Sequence, residues 1–322
     1  MMMNSSQSHF VLTAFIDWWP LQAAGFVLLL CVYVFVVVSN MLLVASIAAT
    51  RSLHEPMYVF LCSLFVNEVY GGTVLLPFLL LHTLTHVHTI SYSLCFVQVF
   101  SLYSYGCVEL IILTVIAYDR YLSICHPLQY HARMTWGRVA LLTAVAWLYS
   151  IVTVSVGYLS PTAVLQLCGN VIHNLYCDNY LLLRLACTPK AFNNIYEMAY
   201  GAISIFIPLL LIALTYVNIL KVCFSGSAQS RHKAVTTCAP HLLSVMNFCL
   251  VAFFQILHGR YNLAHISPAL KVLLSVYHAI SNTVLNPLIH GLRLAKIRAA
   301  CRQLLTFKST EIFSLSVSVL ML

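Results

Sequence analysis

The sequence predicts an all-α membrane protein, a seven-transmembrane helix bundle with a short amphipathic cytoplasmic helix after the seventh span. The first observation is composition: 61% of the 322 residues are hydrophobic and 7% are charged, whereas a soluble domain usually has about 25% charged residues. The second is that apolar runs of roughly 20 residues, enough to cross a bilayer as a helix, recur along the chain. The third is that most basic residues fall on one side of those runs, as in membrane proteins with a fixed orientation.

The apolar runs divide the chain into a tail, a helical domain and a second tail. They cover residues 24–50, 56–81, 92–125, 136–157, 193–224, 233–257 and 267–290. We expect residues 1–23 to form an extracellular tail, residues 24–290 the seven-helix domain, and residues 291–322 the cytoplasmic helix and tail. The second half does not repeat the first, which argues against a transporter built from duplicated halves.

The basic residues predict how the chain is oriented. Twelve of the sixteen lie on one side of the predicted spans, and short cytoplasmic loops carry such an excess of Lys and Arg. We therefore expect a multi-pass protein of the plasma membrane, with its N-terminus extracellular and its C-terminus cytoplasmic. The twelve are Arg51, Arg120, Arg133, Arg138, Lys221, Arg231, Lys233, Arg293, Lys296, Arg298, Arg302 and Lys308. Topology explains the net charge of +8, so no nucleic-acid partner is expected.

The segment after the seventh run predicts the short amphipathic helix. In residues 293–305, four side chains share one helical face, namely Leu294, Ile297, Cys301 and Leu304. An apolar face of this width beside several basic residues is typical of a helix that lies on the membrane surface.

Four cysteines fall on the predicted extracellular side. Cys95 precedes the third run, and Cys168, Cys177 and Cys187 lie in the long loop after the fourth. Extracellular cysteines tend to be oxidised, but spacing alone leaves three pairings open. On the same side, Asn4 begins the sequence Asn-Ser-Ser, which predicts glycosylation.

Polar residues inside the spans form stripes. On the third helix Glu109 precedes Arg120 by eleven residues, close to three full turns, so both face one direction. Similar stripes are Tyr200, Ser204 and Pro208 on the fifth helix and Ser275, His278, Asn282 and Asn286 on the seventh. Any one of these residues could simply make a hydrogen bond between helices. Together, three stripes favour a central polar cavity, because polar groups in a membrane protein face the bundle interior.

Glu68 and Glu109 are the acids deepest in the predicted bundle. A carboxyl group there needs a proton, a cation or a hydrogen-bonded partner. If the two face each other, they could share one proton or bind a small cation such as sodium. The alternative is two separately protonated glutamic acids.

Several sequence motifs resemble those of one known family. The third helix ends in Asp119-Arg120, flanked by tyrosines and followed by His-Pro. This string resembles the signature of odorant receptors, a branch of the rhodopsin-like G-protein-coupled receptors. The resemblance extends over residues 40–298 through Pro-Met-Tyr at 56–58, the stretch Lys-Ala-Val-Thr-Thr-Cys-Ala-Pro-His-Leu at 233–242, and Leu-Asn-Pro-Leu-Ile-His at 285–290. Residues 67–72 and Pro240 resemble the fish-type branch. One departure is His290, where the family normally has Tyr.

The resemblance implies a receptor and not an enzyme. A small-molecule odorant would bind within the bundle and activate a heterotrimeric G protein of the stimulatory, olfactory type, raising cyclic AMP. The implied bridges are Cys95–Cys177 and Cys168–Cys187. The implied odorant-binding residues are Leu102, Tyr103, Gly106, Cys107, Tyr200, Ser204, Gln255 and His278. The implied G-protein-coupling residues are Asp119, Arg120, Tyr121, Tyr216 and Lys233. No cofactor is expected, apart from a sodium ion if Glu68 and Glu109 bind one.

Two other functional classes compete with this interpretation. One is a rhodopsin-like receptor for an internal metabolite or hormone, which expression mapping would distinguish because sequence does not show tissue. The other is a transporter or channel, which ion-flux measurements in liposomes would distinguish. Lipid is the surrounding partner in every case.

Overall fold

The structure is a computed structural model, and it describes residues 9–14, 22–85, 87–187, 191–225, 228–260, 268–304 and 306. Seven long helices dominate it. They are α1 (Gln22–Ala49), α2 (Pro56–Leu84), α3 (Tyr92–Cys125), α4 (Trp136–Val154), α5 (Ala191–Ser225), α6 (Ala228–Arg260) and α7 (Pro268–Arg293). The expected all-α seven-helix bundle is therefore confirmed.

Helices α1 to α6 are long and apolar enough to cross a membrane. Helix α7 has 26 residues, which also suffices to cross a bilayer at about 1.5 Å per residue, but it is more polar. Its polar residues Ser275, Asn282 and Asn286 are buried in the bundle. They therefore meet other helices and not lipid, so the polarity of α7 is compatible with a membrane span.

The ends of the helices follow local rules. Pro56 occupies the first turn of α2, where the amide it lacks would have had no helical partner. The Ser91 side chain accepts a hydrogen bond from the amide of Leu94 and caps the start of α3. At the other end, Pro127 follows α3 directly and starts a short 3-10 turn. These signals place Asp119 and Arg120 in the last two turns of α3.

Helix α3 is the central element. It packs against α2, α4, α5 and α6, and its residues Val108, Leu113, Ile116 and Ala117 are completely or almost completely buried. One helix thus contacts four of the other six long helices.

Helix α4 ends in an irregular turn that admits α5. A π-helical turn covers Ser155–Leu159 and leads into a last helical turn, Ser160–Ala163. Within it, a β-carbon added to Gly157 would lie 2.0 Å from the ring of Tyr200. Only glycine allows this approach, so Gly157 determines how closely α5 packs on α4.

A small sheet covers the predicted extracellular end, and the sequence did not predict it. Strand β1 (His9–Leu12) lies between β2 (Thr89–Ser91) and β3 (Val171–Ile172). β1 pairs antiparallel with β2 and parallel with β3. Phe10 and Leu12 of β1 and Ile172 of β3 are buried beneath it, so the sheet fixes the loop after α4 to the bundle.

The amphipathic helix predicted after the seventh span is present as α8, residues 295–304. Ile297 is completely buried, and Leu294 and Cys301 pack against the main core. On its outer side Lys296 pairs with Glu55 at 3.0 Å, an exposed contact that contributes little stability. Packing of its apolar face against the bundle therefore holds α8 in place.

Candidate functional site

A cavity of about 420 Å³ lies between α3, α5 and α6, beneath the long loop that follows α4. Its size falls in the range of small-molecule binding sites, roughly 300–1,000 Å³. Six of the eight expected ligand-binding residues line it, namely Leu102, Tyr103, Gly106, Cys107, Ser204 and Gln255. The structure thus brings residues of three helices together around one space.

The other two expected ligand-binding residues are Tyr200, which is not among the residues that line the cavity, and His278. The hydroxyl of Tyr200 donates a hydrogen bond to the carbonyl oxygen of Thr153 at 3.2 Å, and its ring packs edge-on against Tyr158. Tyr200 therefore lies between α4 and α5, and Tyr158 lines the cavity beside it. The side chain of His278 and the predicted glycosylation site Asn4 lie outside the described residues.

Two disulfide bonds organise the loop above the cavity. Cys95 at the start of α3 is joined to Cys177, and Cys168 is joined to Cys187. The amide of Cys177 also donates a hydrogen bond to the Gln98 side chain at 2.9 Å. The first bridge therefore ties the loop to the bundle, and the second closes the loop on itself.

This arrangement makes the pairing testable. Non-reducing peptide mapping should recover a peptide pair containing Cys95 and Cys177. Cys95→Ser should lower surface expression strongly, because it frees the loop from α3 and because a bridge of this kind contributes about 2–4 kcal/mol. Cys31→Ser, which changes a free and exposed cysteine, is the matched control. Recovery of Cys168 joined to Cys95 would contradict the pairing.

The bridge also positions an acid that sequence reasoning did not select. Asp178 follows Cys177, lines the cavity and is only 7% exposed. One of its oxygens accepts the amide of Tyr180 at 3.0 Å. The other accepts Tyr103 at 3.3 Å and Gln255 at 3.4 Å. Burial raises the pKa of Asp178 above its ordinary value, although the bonds from Gln255 and Tyr180 oppose that shift.

Below the cavity, the two acids of α2 and α3 face each other across one amide. The side-chain nitrogen of Asn286 donates to Glu68 at 2.5 Å and to Glu109 at 2.9 Å. The second oxygen of Glu68 accepts Tyr105 at 2.8 Å, and that of Glu109 accepts Asn282 at 2.9 Å. Helices α2, α3 and α7 therefore meet in one polar cluster whose two acids and Asn286 are completely buried. We call it the acid cluster: Glu68, Tyr105, Glu109, Asn282 and Asn286.

The geometry of the acid cluster fits a shared small cation or a shared proton. Because both short distances start from one nitrogen, the two carboxyl oxygens are far closer than about 8 Å, the separation beyond which one ion could not bridge them. The side-chain oxygen of Asn286 is buried without a hydrogen-bond partner among the described residues. An unmatched acceptor beside two carboxyl groups is a place where a cation or a carboxylic-acid proton is favourable. Within the described residues, no group of three or more His, Cys, Asp or Glu side chains could hold a metal ion, so any ion here would depend on amide oxygens as well.

At the predicted cytoplasmic end, Asp119 and Arg120 form an ion pair. The guanidinium of Arg120 is 2.5 Å from the Asp119 carboxylate, whose other oxygen accepts the hydroxyl of Tyr130 at 2.7 Å. The Nε atom of Arg120 is buried and has no hydrogen-bond partner among the described residues. Arg120 is thus paired with the adjacent Asp119, and its Nε donor makes no hydrogen bond to the described residues.

Tyr216, another of the implied G-protein-coupling residues, contacts α6. Its hydroxyl is 2.8 Å from Nδ1 of His241 on α6, and Nε2 of His241 is 2.8 Å from the carbonyl oxygen of Leu113 on α3. A carbonyl oxygen only accepts, so Nε2 carries the proton and Nδ1 accepts from Tyr216. His241 therefore joins α3, α5 and α6. The sequence offered a signal for it, since a histidine within an apolar helix needs partners.

The remaining expected coupling residues are placed as follows. The hydroxyl of Tyr121 is 3.0 Å from Nε2 of His126, so it braces the end of α3. The side chain of Lys233 lies outside the described residues. Nearby, His290, which stands where the resembling family has Tyr, is buried with Nε2 3.1 Å from the hydroxyl of Ser244. This contact ties α7 to α6.

Comparisons with known proteins point to one family. The family model described as "Olfactory receptor" matches residues 29–308. Olfactory receptor 2F1 of Homo sapiens is 33% identical over 92% of this chain and 93% of that receptor. Olfactory receptor 4B13 of Mus musculus is 33% identical over 87% of this chain and 90% of that receptor. The crystal structure of squid rhodopsin superposes with a TM-score of 0.69 at 17% identity, covering 89% of this chain and 86% of that one, a likeness that concerns the fold.

Proposed function

We propose, because the chain belongs to the olfactory receptor family, that the cavity beneath the disulfide-bonded loop is its odorant-binding site. As a member of that family, the chain is a multi-pass membrane receptor for odorants and not an enzyme. The observation that carries the proposal is that side chains from α3, α5 and α6 converge on one cavity of about 420 Å³. Assignment to the fish-type branch stays a prediction.

The mechanism we propose is allosteric. The bundle has two helix arrangements, and an odorant that binds one of them more tightly increases the population of that arrangement. The shift in the equilibrium cannot exceed the difference between the odorant's affinities for the two arrangements. Tyr216 and Arg120 would exchange partners in this transition, Tyr216 leaving His241 and Arg120 leaving Asp119. The freed arginine would then contact a heterotrimeric G protein from the cytoplasm, with the N-terminus on the extracellular side. The excess of basic residues on the α8 side of the membrane supports this orientation.

The acid cluster is part of the same proposal. A sodium ion held by Glu68 and Glu109 would connect α2 and α3 in the resting arrangement and oppose their rearrangement. The short distances to Asn286 support this role, and the shared-proton alternative makes a different prediction, which is given in the Discussion.

A cyclic-AMP reporter in cells that express the chain tests the proposed function directly. The cells are challenged with a panel of volatile and water-soluble compounds, and surface density is measured in parallel. A concentration-dependent rise in cyclic AMP that needs the receptor supports it. Ion flux through purified protein in liposomes, without any cyclic-AMP response, would instead favour a transporter or channel.

Gly106 offers a test of where the odorant binds. It lines the cavity, and an added β-carbon would meet no atom within 4 Å. Gly106→Val should therefore fold normally but fill part of the cavity, reducing odorant potency by at least about tenfold because overpacking a filled site is unfavourable. Gly25→Val in α1, where an added β-carbon also meets no atom within 4 Å, is the control. Equal potency of both variants would place the odorant elsewhere.

A further inference from the structure

The extracellular end of the cavity is acidic. The described residues that line the cavity include the acids Glu109, Asp178 and Glu197 and no Lys, Arg or His. Glu109 belongs to the acid cluster at the base, whereas Asp178 and Glu197 lie under the loop. Both upper acids are buried, at 7% and 6% exposure, and a buried carboxylate is costly unless it is compensated by a positive charge or by hydrogen bonds.

Hydrogen bonds compensate Asp178 only in part. The groups that donate to it are all neutral, namely the Tyr103 hydroxyl, the Gln255 amide and the backbone amides of Tyr180 and Leu181. Two of these bonds are long, at 3.3 and 3.4 Å, near the limit of a useful hydrogen bond. Both long bonds end on the same carboxyl oxygen of Asp178, and Asp178 lines the cavity. A hydrogen-bond donor on a ligand in the cavity could therefore bind to this oxygen.

The second acid is connected to the first. Asn179, directly after Asp178, donates a hydrogen bond from its side chain to Glu197 of α5 at 3.1 Å. The loop and α5 thus present one carboxyl group each toward the same end of the cavity. A positively charged ligand group would be attracted by both.

Aromatic rings surround these acids. Five tyrosines line the cavity, namely Tyr103, Tyr105, Tyr158, Tyr176 and Tyr180. The rings of Tyr103 and Tyr158 lie edge-to-face with their centroids 4.9 Å apart. Tyrosine faces attract cations, and aromatic groups beside a carboxylate are a common environment for ammonium groups. Anionic ligands, by contrast, would meet two buried carboxyl groups at this end of the cavity.

We propose that the odorant of this receptor is a small organic amine whose ammonium group binds beneath the loop, between Asp178, Glu197 and the tyrosine rings. This inference rests on the proposed function, since it assigns a ligand class to the same cavity. The apolar part of the amine would extend toward Leu102 and Phe248, which also line the cavity. A neutral hydrogen-bonding odorant is the competing ligand class.

The experiment compares matched ligands on the intact receptor in the cyclic-AMP assay. The probes are phenethylamine with phenethyl alcohol, hexylamine with hexanol, and hexanoic acid. Each amine should be more potent than its alcohol by more than about tenfold, since removing one partner of a buried charge pair is costly, and the acid should be inactive. Preferential activation by the alcohols or by the acid would overturn this inference but leave the proposed function intact. Silence toward every probe would count against both.

Variants at the two acids separate ligand binding from folding. Asp178→Asn keeps the cap on the Tyr180 amide, because Asn caps helices as well as Asp, but removes the charge. At equal surface density it should reduce amine potency by more than about tenfold, and Glu197→Gln should reduce it as well. Asp178→Glu should retain part of the response, because it keeps the charge.

The matched control removes a carboxylate elsewhere. Glu55→Gln neutralises an exposed acid that pairs with Lys296 and should leave amine potency unchanged. If Asp178→Asn also left amine potency unchanged, Asp178 would only stabilise the loop, and the inference would be wrong.

Discussion

Arg120→Ala is expected to abolish agonist-driven cyclic-AMP signalling while most of the receptor still reaches the cell surface. Among the described residues, Arg120 forms a side-chain ion pair with Asp119, and its Nε atom has no hydrogen-bond partner. It therefore contributes less to the resting bundle than its burial suggests. We propose that a G protein, arriving from the cytoplasm, accepts a hydrogen bond from this arginine once it leaves Asp119.

The stability cost of this substitution is expected to be limited. Asp119 loses its arginine but keeps the hydrogen bond from Tyr130 at 2.7 Å, so its carboxylate is not left without a donor. Surface density should be matched between variants, because leaving one partner of an ion pair behind still costs some free energy. The measurement is the maximal cyclic-AMP response per receptor at the surface.

Two further variants serve as a control and as a test of partial rescue. Arg51→Ala removes one positive charge from an exposed turn between α1 and α2 and should leave signalling near the wild-type value. Arg120→Lys keeps the charge but not the planar fork of donors, so it should restore only part of the response. A normal response from Arg120→Ala at equal surface density would refute the proposed role of Arg120.

The sequence could predict the seven helices because hydropathy and helix signals coincide at their starts. The expected starts at residues 56, 92 and 136 agree with α2, α3 and α4, where proline or a capping residue precedes an apolar run. Helix α6 begins earlier than expected, at Ala228 and not at residue 233. Hydropathy detects the part of a helix that crosses lipid, whereas helical hydrogen bonding continues into the polar residues outside it.

The small sheet at the predicted extracellular end could not be predicted in this way. Its strands have four, three and two residues, too few for an alternating pattern to stand out from chance. Its pairing joins segments that are distant in sequence, such as Val11 with Val171. Such pairing depends on where the helices carry the loops and not on the strand sequences themselves.

The sequence predicted which helix faces line the candidate site, but not which residues contact each other there. Periodicity indicated that Glu109 and Asn286 point inward, yet it did not indicate that one amide meets both acids. The family resemblance implied that Tyr200 lines the cavity, but the space above Gly157 admits its ring between α4 and α5. Which helix a side chain meets depends on close approaches such as this one, and these are decided in three dimensions.

If the acid cluster binds sodium, signalling by the wild-type receptor should depend on the sodium concentration. Glu109→Gln should weaken this dependence. In wild-type receptor, replacing sodium by a bulky organic cation should raise basal cyclic AMP, because a bound ion would connect α2 and α3 in the resting arrangement. Two ionised carboxylates this close together would repel each other strongly in the bundle interior. The cluster therefore needs either an ion or a proton, and these two alternatives respond differently to sodium.

Glu109→Gln removes one negative charge but keeps the size of the side chain and an oxygen that can accept the amide of Asn282, now 2.9 Å from Glu109. The sodium concentration for half-maximal effect should rise by at least about tenfold, equivalent to about 1.4 kcal/mol of lost binding free energy. Basal activity should shift at the same time. Glu55→Gln, which neutralises an exposed acid directly before the start of α2, should change neither quantity.

The shared-proton alternative predicts a flat response. If Glu68 and Glu109 share one proton and bind no ion, wild-type signalling will not depend on sodium, and Glu109→Gln will not alter that. The variant would then act only through the hydrogen bonds that Asn282 and Asn286 donate to Glu109. Sodium-independent signalling in wild-type receptor, at matched ionic strength and surface density, would therefore exclude the ion and assign the acid cluster a structural role that connects α2, α3 and α7.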